Sequence, residues 1–153
     1  MKYYAAYGSN LNKEQMRARC PESEVVGTAA IKDYELLFKR SGKPGRSRSC
    51  LTIEPKAGAY VPVGIWTLSE KDERELDRRE GVPNHCYYKK SMELEVAKKD
   101  GLKEKLSCLL YIKPERSILD RPDPGYVRTC LTGYQSFGFD ADLIYEAEAK
   151  SAQ

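Results

Sequence analysis

An apolar, strand-like run, Tyr3-Tyr4-Ala5-Ala6-Tyr7, stops at Gly8-Ser9-Asn10-Leu11 and passes at once into a helix start. Asn12 can cap that helix with Gln15 three residues on, and Leu11 and Met16 occupy the two positions of a hydrophobic staple. Gly8 lets the backbone turn where a Cβ would clash. The amides at a helix start lack internal partners and can point at an anion such as a carboxylate. Strand, tight polar turn and helix form a site architecture, although these residues alone also suit a plain βα turn.

Periodicity and punctuation order the rest. Glu24 to Ile31 and Tyr34 to Lys39 read as two strands parted by a Lys32-Asp33 turn, and Ser49 to Glu54 as a third ended by Pro55. Val61 to Leu68 is apolar with β-branched and aromatic residues, which predicts a buried strand. Ser69 caps a short charged helix, Glu70 to Arg79, with Leu76 as one of its few apolar contacts. Tyr87 to Val96 and Lys105 to Ile112 alternate around Lys99-Asp100-Gly101 and predict a long hairpin. The tail changes period. Asp123 as cap, Pro124 at the first helical position and apolar spacing to Phe137 predict a helix ending near Gly138, followed by another from Asp140 to Ala149. Many strands with helices mainly at the ends imply an α+β domain, a curved or closed sheet flanked by helices, with its ligand at the mouth.

Composition narrows the function. At 153 residues and 41% hydrophobic content the chain makes one domain, 1–153. No apolar run approaches the ~20 residues of a membrane span and the N-terminus has no signal-peptide pattern, so a cytoplasmic protein without membrane contact is expected. Cys20, Cys50, Cys86, Cys108 and Cys130 are odd in number and widely spaced, with one His, which supports neither a disulfide framework nor a zinc site. The net charge of +3 comes from well-mixed charges. The exception, Lys39 to Arg48, carries five cations and no anion and reads as a mobile loop. It has no interleaved aromatic to stack bases, so no nucleic-acid partner is expected.

One further segment bears on chemistry. In Leu76-Asp77-Arg78-Arg79-Glu80-Gly81-Val82-Pro83, Glu80 falls at a helix end, where the dipole disfavours negative charge and the chain turns into the core. That placement can raise its pKa into the range of a proton shuttle. Spacing alone favours a solvated last residue of a charged helix.

Tyr7-Gly8-Ser9-Asn10-Leu11, then Gly64-Ile65-Trp66 leading to Leu76-Asp77 and Glu80-Gly81-Val82, then Tyr87, and finally Pro122-Asp123-Pro124-Gly125-Tyr126 with Gly133 and Gly138, resemble the gamma-glutamylcyclotransferase-like family. The ordered set runs from Tyr3 to about Gly138. The resemblance implies a small mixed β-barrel flanked by helices. It also implies that Tyr7, Gly8, Ser9, Asn10 and Leu11 hold the glutamyl end of a small-molecule γ-glutamyl substrate and that Glu80 is the catalytic acid/base. Tyr87 and Tyr126 are expected as hydroxyl donors to substrate or to Glu80. Tyr134, following Gly133, departs from the small residue common there.

Such an enzyme would cyclise a γ-glutamyl amine or γ-glutamyl amino acid to 5-oxoproline and release the amine, an acyl transfer or lyase-type cyclisation that needs no cofactor, metal or enzyme nucleophile. A monomer or homodimer suffices. Two alternatives stand beside it. One is a non-catalytic γ-glutamyl or anion-binding module. The other is a Cys-dependent γ-glutamyl hydrolase or transferase using His85-Cys86, although neighbours on a strand point to opposite faces.

Overall fold

A computed structural model describes residues 1–41, 48–84 and 86–152. Six strands form: β1 Lys2–Ala6, β2 Val25–Arg40, β3 Cys50–Leu68, β4 Tyr88–Lys98, β5 Lys103–Ile112 and β6 Ile118–Leu119. The helices are α1 Lys13–Arg19, α2 Glu70–Arg79, α3 Pro124–Phe137 and α4 Asp142–Ser151. The sheet order is β3-β1-β5-β4-β2, and pairing of β2 with β3 closes it into a five-stranded barrel; β6 adds a short edge to β2. β1 and β5 run parallel and the other pairs antiparallel, so the barrel is mixed. With four helices outside, the α+β barrel expected from the sequence is the fold.

The two strands expected on either side of Lys32-Asp33 are one continuous strand, β2. Asp33 lies at φ 63°, a register shift falls between Lys32 and Tyr34, and Asp33 Oδ1 accepts the Gly58 N–H at 2.9 Å. A bulge, not a turn, absorbs the polar pair. β3 likewise continues through Pro55, which pairs with Tyr34 beside that bulge. Lys39 and Arg40 of the expected basic loop end β2, Lys39 paired with Glu54, while 42–47 lie outside the described residues. α4 starts two residues later than expected, where Asp140 Oδ1 accepts the Asp142 amide.

The placement of α2 follows from this frame. β3 ends at Leu68, opposite Lys2 at the start of β1. Ser69 then caps α2 through the Asp72 amide at 3.1 Å. Ten residues span roughly 15 Å, enough to carry the chain from the start of β1 back toward the end of β5. The C-terminal residue of α2 therefore arrives at the mouth where β1 ends. No helix among the described residues is long and apolar enough to cross a membrane.

Candidate active site

β1 ends at Ala6, and Ser9–Leu11 form one 3-10 turn before α1. The Leu11 amide donates to Gly8 O at 3.1 Å and the Asn12 amide to Ser9 O at 2.9 Å. Asn12 caps α1 as expected, its Oδ1 accepting the Gln15 amide at 3.0 Å. The Gln15 side chain does not turn back to the cap; it donates to Ser9 Oγ at 2.8 Å and Asn10 Oδ1 at 3.1 Å. Arg19 Nη1 also donates to Asn10 Oδ1 (3.0 Å), and Asn10 Nδ2 donates to Tyr4 Oη (3.0 Å). Asn10 is thus a buried hub that fixes the loop from three sides. The amides of Gly8, Ser9 and Asn10 donate to no acceptor among the described residues. Three preset donors without a partner can bind an anion.

Facing this loop is Glu80, the C-cap of α2, followed by Gly81 at φ 66°. Its carboxylate has no hydrogen-bond or ion-pair partner among the described residues. It lines a cavity of about 200 Å³ together with Tyr4, Tyr7, Ser9, Asn10 and Arg19. Burial pushes its pKa up from 4.5 to about 6, against the opposing charges of Arg19 and Lys113. Of the two causes read from the sequence, the helix end and the turn into the core, the second dominates as desolvation.

Tyrosines supply most of the remaining wall. Tyr7 donates to Tyr111 O at 2.6 Å, and Tyr87 donates to Leu51 O at 3.0 Å. Tyr126 Oη accepts the Leu51 amide at 3.1 Å. Burial first, and then the nearby Glu80 charge for Tyr7, holds these phenols well above their ordinary values, so they stay neutral. They can donate or accept hydrogen bonds, but they cannot serve as bases. Neither Tyr87 nor Tyr126 bonds to Glu80; both brace the first residues of β3.

Of the residues singled out in the sequence, Tyr7, Gly8, Ser9, Asn10, Glu80, Tyr87 and Tyr126 share this cavity. Leu11 does not. Its side chain is wholly buried, wedged where any Cβ on Gly64 or Gly133 would lie 2.7 Å from it. Leu11 anchors the loop from behind. Gly8 has φ −121°, so it needs no left-handed conformation, and a Cβ there would meet Tyr126 Oη at 3.4 Å, a tight contact but not a clash. The glycine keeps the cavity wall open. Sequence reading missed Tyr4, Gln15, Arg19, Cys50, Leu51, Arg79 and Tyr111. The available signal was a composition of 11 tyrosines against 3 phenylalanines, which suits a polar-walled cavity.

The cysteine alternative finds little support in this geometry. Cys86 does not line the cavity; it packs under Gly81, its amide donating to Gly81 O at 3.0 Å, and His85 lies outside the described residues. Cys86 and Tyr87 precede β4, so strand alternation does not set their directions. Cys50 is the thiol in the wall, and burial raises its pKa, which keeps it protonated.

Comparison with known proteins agrees with the fold. The family profile described as Gamma-glutamyl cyclotransferase, AIG2-like, matches residues 4–129. The human protein "Gamma-glutamylcyclotransferase" is 28% identical over 153 residues, covering 98% of this chain and 78% of the relative. Its bovine counterpart is 27% identical over the same shares. A solved structure described as "Gamma-glutamyl cyclotransferase" superposes with a TM-score of 0.77 at 26% identity, over 97% of this chain and 86% of that one. The crystal structure of the human protein loc79017 gives 0.76 at 25% identity over the same shares. A closed mixed barrel flanked by helices is the fold that these solved structures share with this chain. The chain belongs to the Gamma-glutamyl cyclotransferase, AIG2-like family, and that membership supports a cyclotransferase activity in general terms.

Proposed function

We propose that this protein cyclises a γ-glutamyl amine or γ-glutamyl amino acid to 5-oxoproline and releases the free amine, with Glu80 as the proton shuttle. One observation carries this reading. A carboxylate with no partner among the described residues, raised to about 6, faces a cavity whose opposite wall offers three unpaired amides.

The substrate brings its own nucleophile. Its α-amine attacks its γ-carbonyl, a C–N bond forms to close the five-membered ring, and the C–N bond to the leaving amine breaks. Holding the chain in the ring-closing conformer can supply effective molarities of order 10⁵–10⁸ M. One proton must move from the attacking nitrogen to the leaving one. Glu80 takes it and returns it, and a group titrating near 6 suits both directions near neutral pH. The amides of Gly8, Ser9 and Asn10 hold the α-carboxylate or the developing oxyanion, and Arg19 adds positive charge behind them.

Two results are expected. The value of kcat/KM should rise with pH through about 6, as Glu80 loses its proton and becomes a base, and then level off. A flat profile from pH 5 to 7 contradicts the assignment. Gly8→Val should weaken substrate binding about tenfold, equivalent to about 1.4 kcal/mol, by pushing branched carbons toward Tyr126 and into the cavity. The melting temperature should change little, and a parallel loss of binding and stability would make Gly8 a structural glycine.

A further inference from the structure

α2 is a charged helix with Leu76 as its wholly buried apolar residue, and beyond Glu80 the chain turns at Gly81 into a single 3-10 turn, Val82–Asn84. Beyond Leu76, α2 itself supplies no apolar side chain to fix the end that bears Glu80. A polar clamp one turn earlier does so instead. Asp77 Oδ1 accepts the Tyr111 hydroxyl at 2.6 Å, a short charge-assisted bond to β5. Lys89 of β4 reaches Asp77 at 3.0 Å and Glu73 at 2.5 Å, and Lys2 of β1 reaches Glu73 at 3.0 Å. Glu73 and Asp77 stand four residues apart on one helix face, so a single face of α2 is tied to three strands. Their side chains are 10% and 27% exposed, which shields the clamp better than an ordinary surface pair.

Tyr111 links this clamp to the other half of the site. Its carbonyl accepts the Tyr7 hydroxyl, and its ring stands edge-on to Tyr4 with centroids 5.8 Å apart. Tyr4 in turn accepts from Asn10. The helix that carries Glu80 and the loop that carries the free amides are therefore fastened to the same residue. On the reading that Glu80 is the shuttle, we propose that Asp77 is a positioning residue: through Tyr111 and Lys89 it locks the last turn of α2 and sets where Glu80 stands relative to the loop.

The test uses Tyr111→Phe, Asp77→Ala and their double variant, read as kcat, melting temperature and the pH dependence of kcat/KM on γ-glutamyl substrates. Tyr111→Phe keeps the ring and the carbonyl and loses only the hydroxyl, so it remains informative if Asp77→Ala folds poorly. Each single variant should lower kcat by roughly 10-fold to 10²-fold, the loss expected of a displacement of about 1 Å. The double variant should cost no more than Asp77→Ala alone, because the bond that Tyr111→Phe removes is already lost with Asp77. The acid limb should also move below its wild-type position, as water reaches a loosened Glu80. The groups facing Glu80 are Arg19 from α1, Lys113 beyond β5, Cys50 of β3, and Tyr4, Tyr7, Tyr87, Tyr111 and Tyr126; of these only Tyr111 is altered, and Tyr111→Phe removes a neutral hydroxyl and no charge, while Asp77→Ala leaves all of them in place.

A lowered melting temperature with kcat and the acid limb unchanged would make the clamp merely structural and overturn the proposal. Failure of the underlying reading looks different. It appears before any clamp variant is made, as a wild type that forms no 5-oxoproline or a Glu80→Gln variant that still does, and it overturns this proposal too.

Discussion

Glu80→Gln is expected to lose turnover by the 10²–10⁴-fold typical of a missing general acid–base group and, at pH 7, to melt at a higher temperature than the wild type. Glutamine keeps size and hydrogen-bonding capacity, so the cavity survives and substrate binding changes little; only the proton shuttle is gone. The stability gain follows from linkage. Because burial raises the folded pKa from 4.5 to about 6, the folded chain binds this proton more tightly than the unfolded chain. The resulting stabilisation is complete below about 4.5 and is lost as pH rises to about 6, which leaves an ionised, poorly solvated carboxylate costing roughly 2 kcal/mol at neutral pH. An uncharged amide escapes that cost, so the variant should melt higher by a few degrees at pH 7, and the difference should vanish near pH 4. Paired activity assays and melts at the two pH values check both halves. A variant that is inactive and also less stable at pH 7 would mean that Glu80 holds the structure together, and the shuttle role would lose its support.

Gly133→Ala should damage both fold and function despite improving helix propensity. Alanine gains about 0.5–1 kcal/mol over glycine inside a helix. Here its Cβ would stand 2.6 Å from Asn12 N and from the Leu11 carbonyl carbon. Those are backbone atoms that cannot swing aside, and overpacking typically costs 1–3 kcal/mol, so the clash wins. α3 must move off the 3-10 turn, which lowers the melting temperature by several degrees and shifts the loop that carries the free amides. KM should rise with it. Gly138→Ala is the comparator. Its φ of 76° makes the substitution cost roughly 1–2 kcal/mol, but nothing lies within 4 Å of the added carbon, so kcat and KM should hold. Equal kinetic damage from both variants would show that the effect is global.

Elements whose signals are local were legible in the sequence. Ser69 and the charge pattern give α2 its observed bounds, Glu70–Arg79, and Gly138 in the left-handed conformation ends α3 where the pattern stops. The continuity of β2 and β3 was not legible. Lys32-Asp33 and Pro55 look like turn residues to any local reading, and only pairing across the hairpin turns them into a bulge. The site divides the same way. Glu80 and the Tyr7 to Asn10 loop stand out because each sits at a punctuated element boundary. Arg19, Cys50 and Tyr111 carry no such mark, since α1, the start of β3 and the end of β5 meet only when the barrel closes. Leu11 shows the converse limit: it belongs to the motif, yet its side chain serves the core behind the loop.

The most direct test of the proposed reaction is to incubate the purified protein with a panel of γ-glutamyl amino acids and γ-glutamyl amines and to follow both 5-oxoproline and glutamate by mass spectrometry. Time-dependent 5-oxoproline, released in equal amount with the free amine from at least one substrate and lost in Glu80→Gln, is the predicted result. Glutamate without 5-oxoproline, or neither product from any member of the panel, would contradict it.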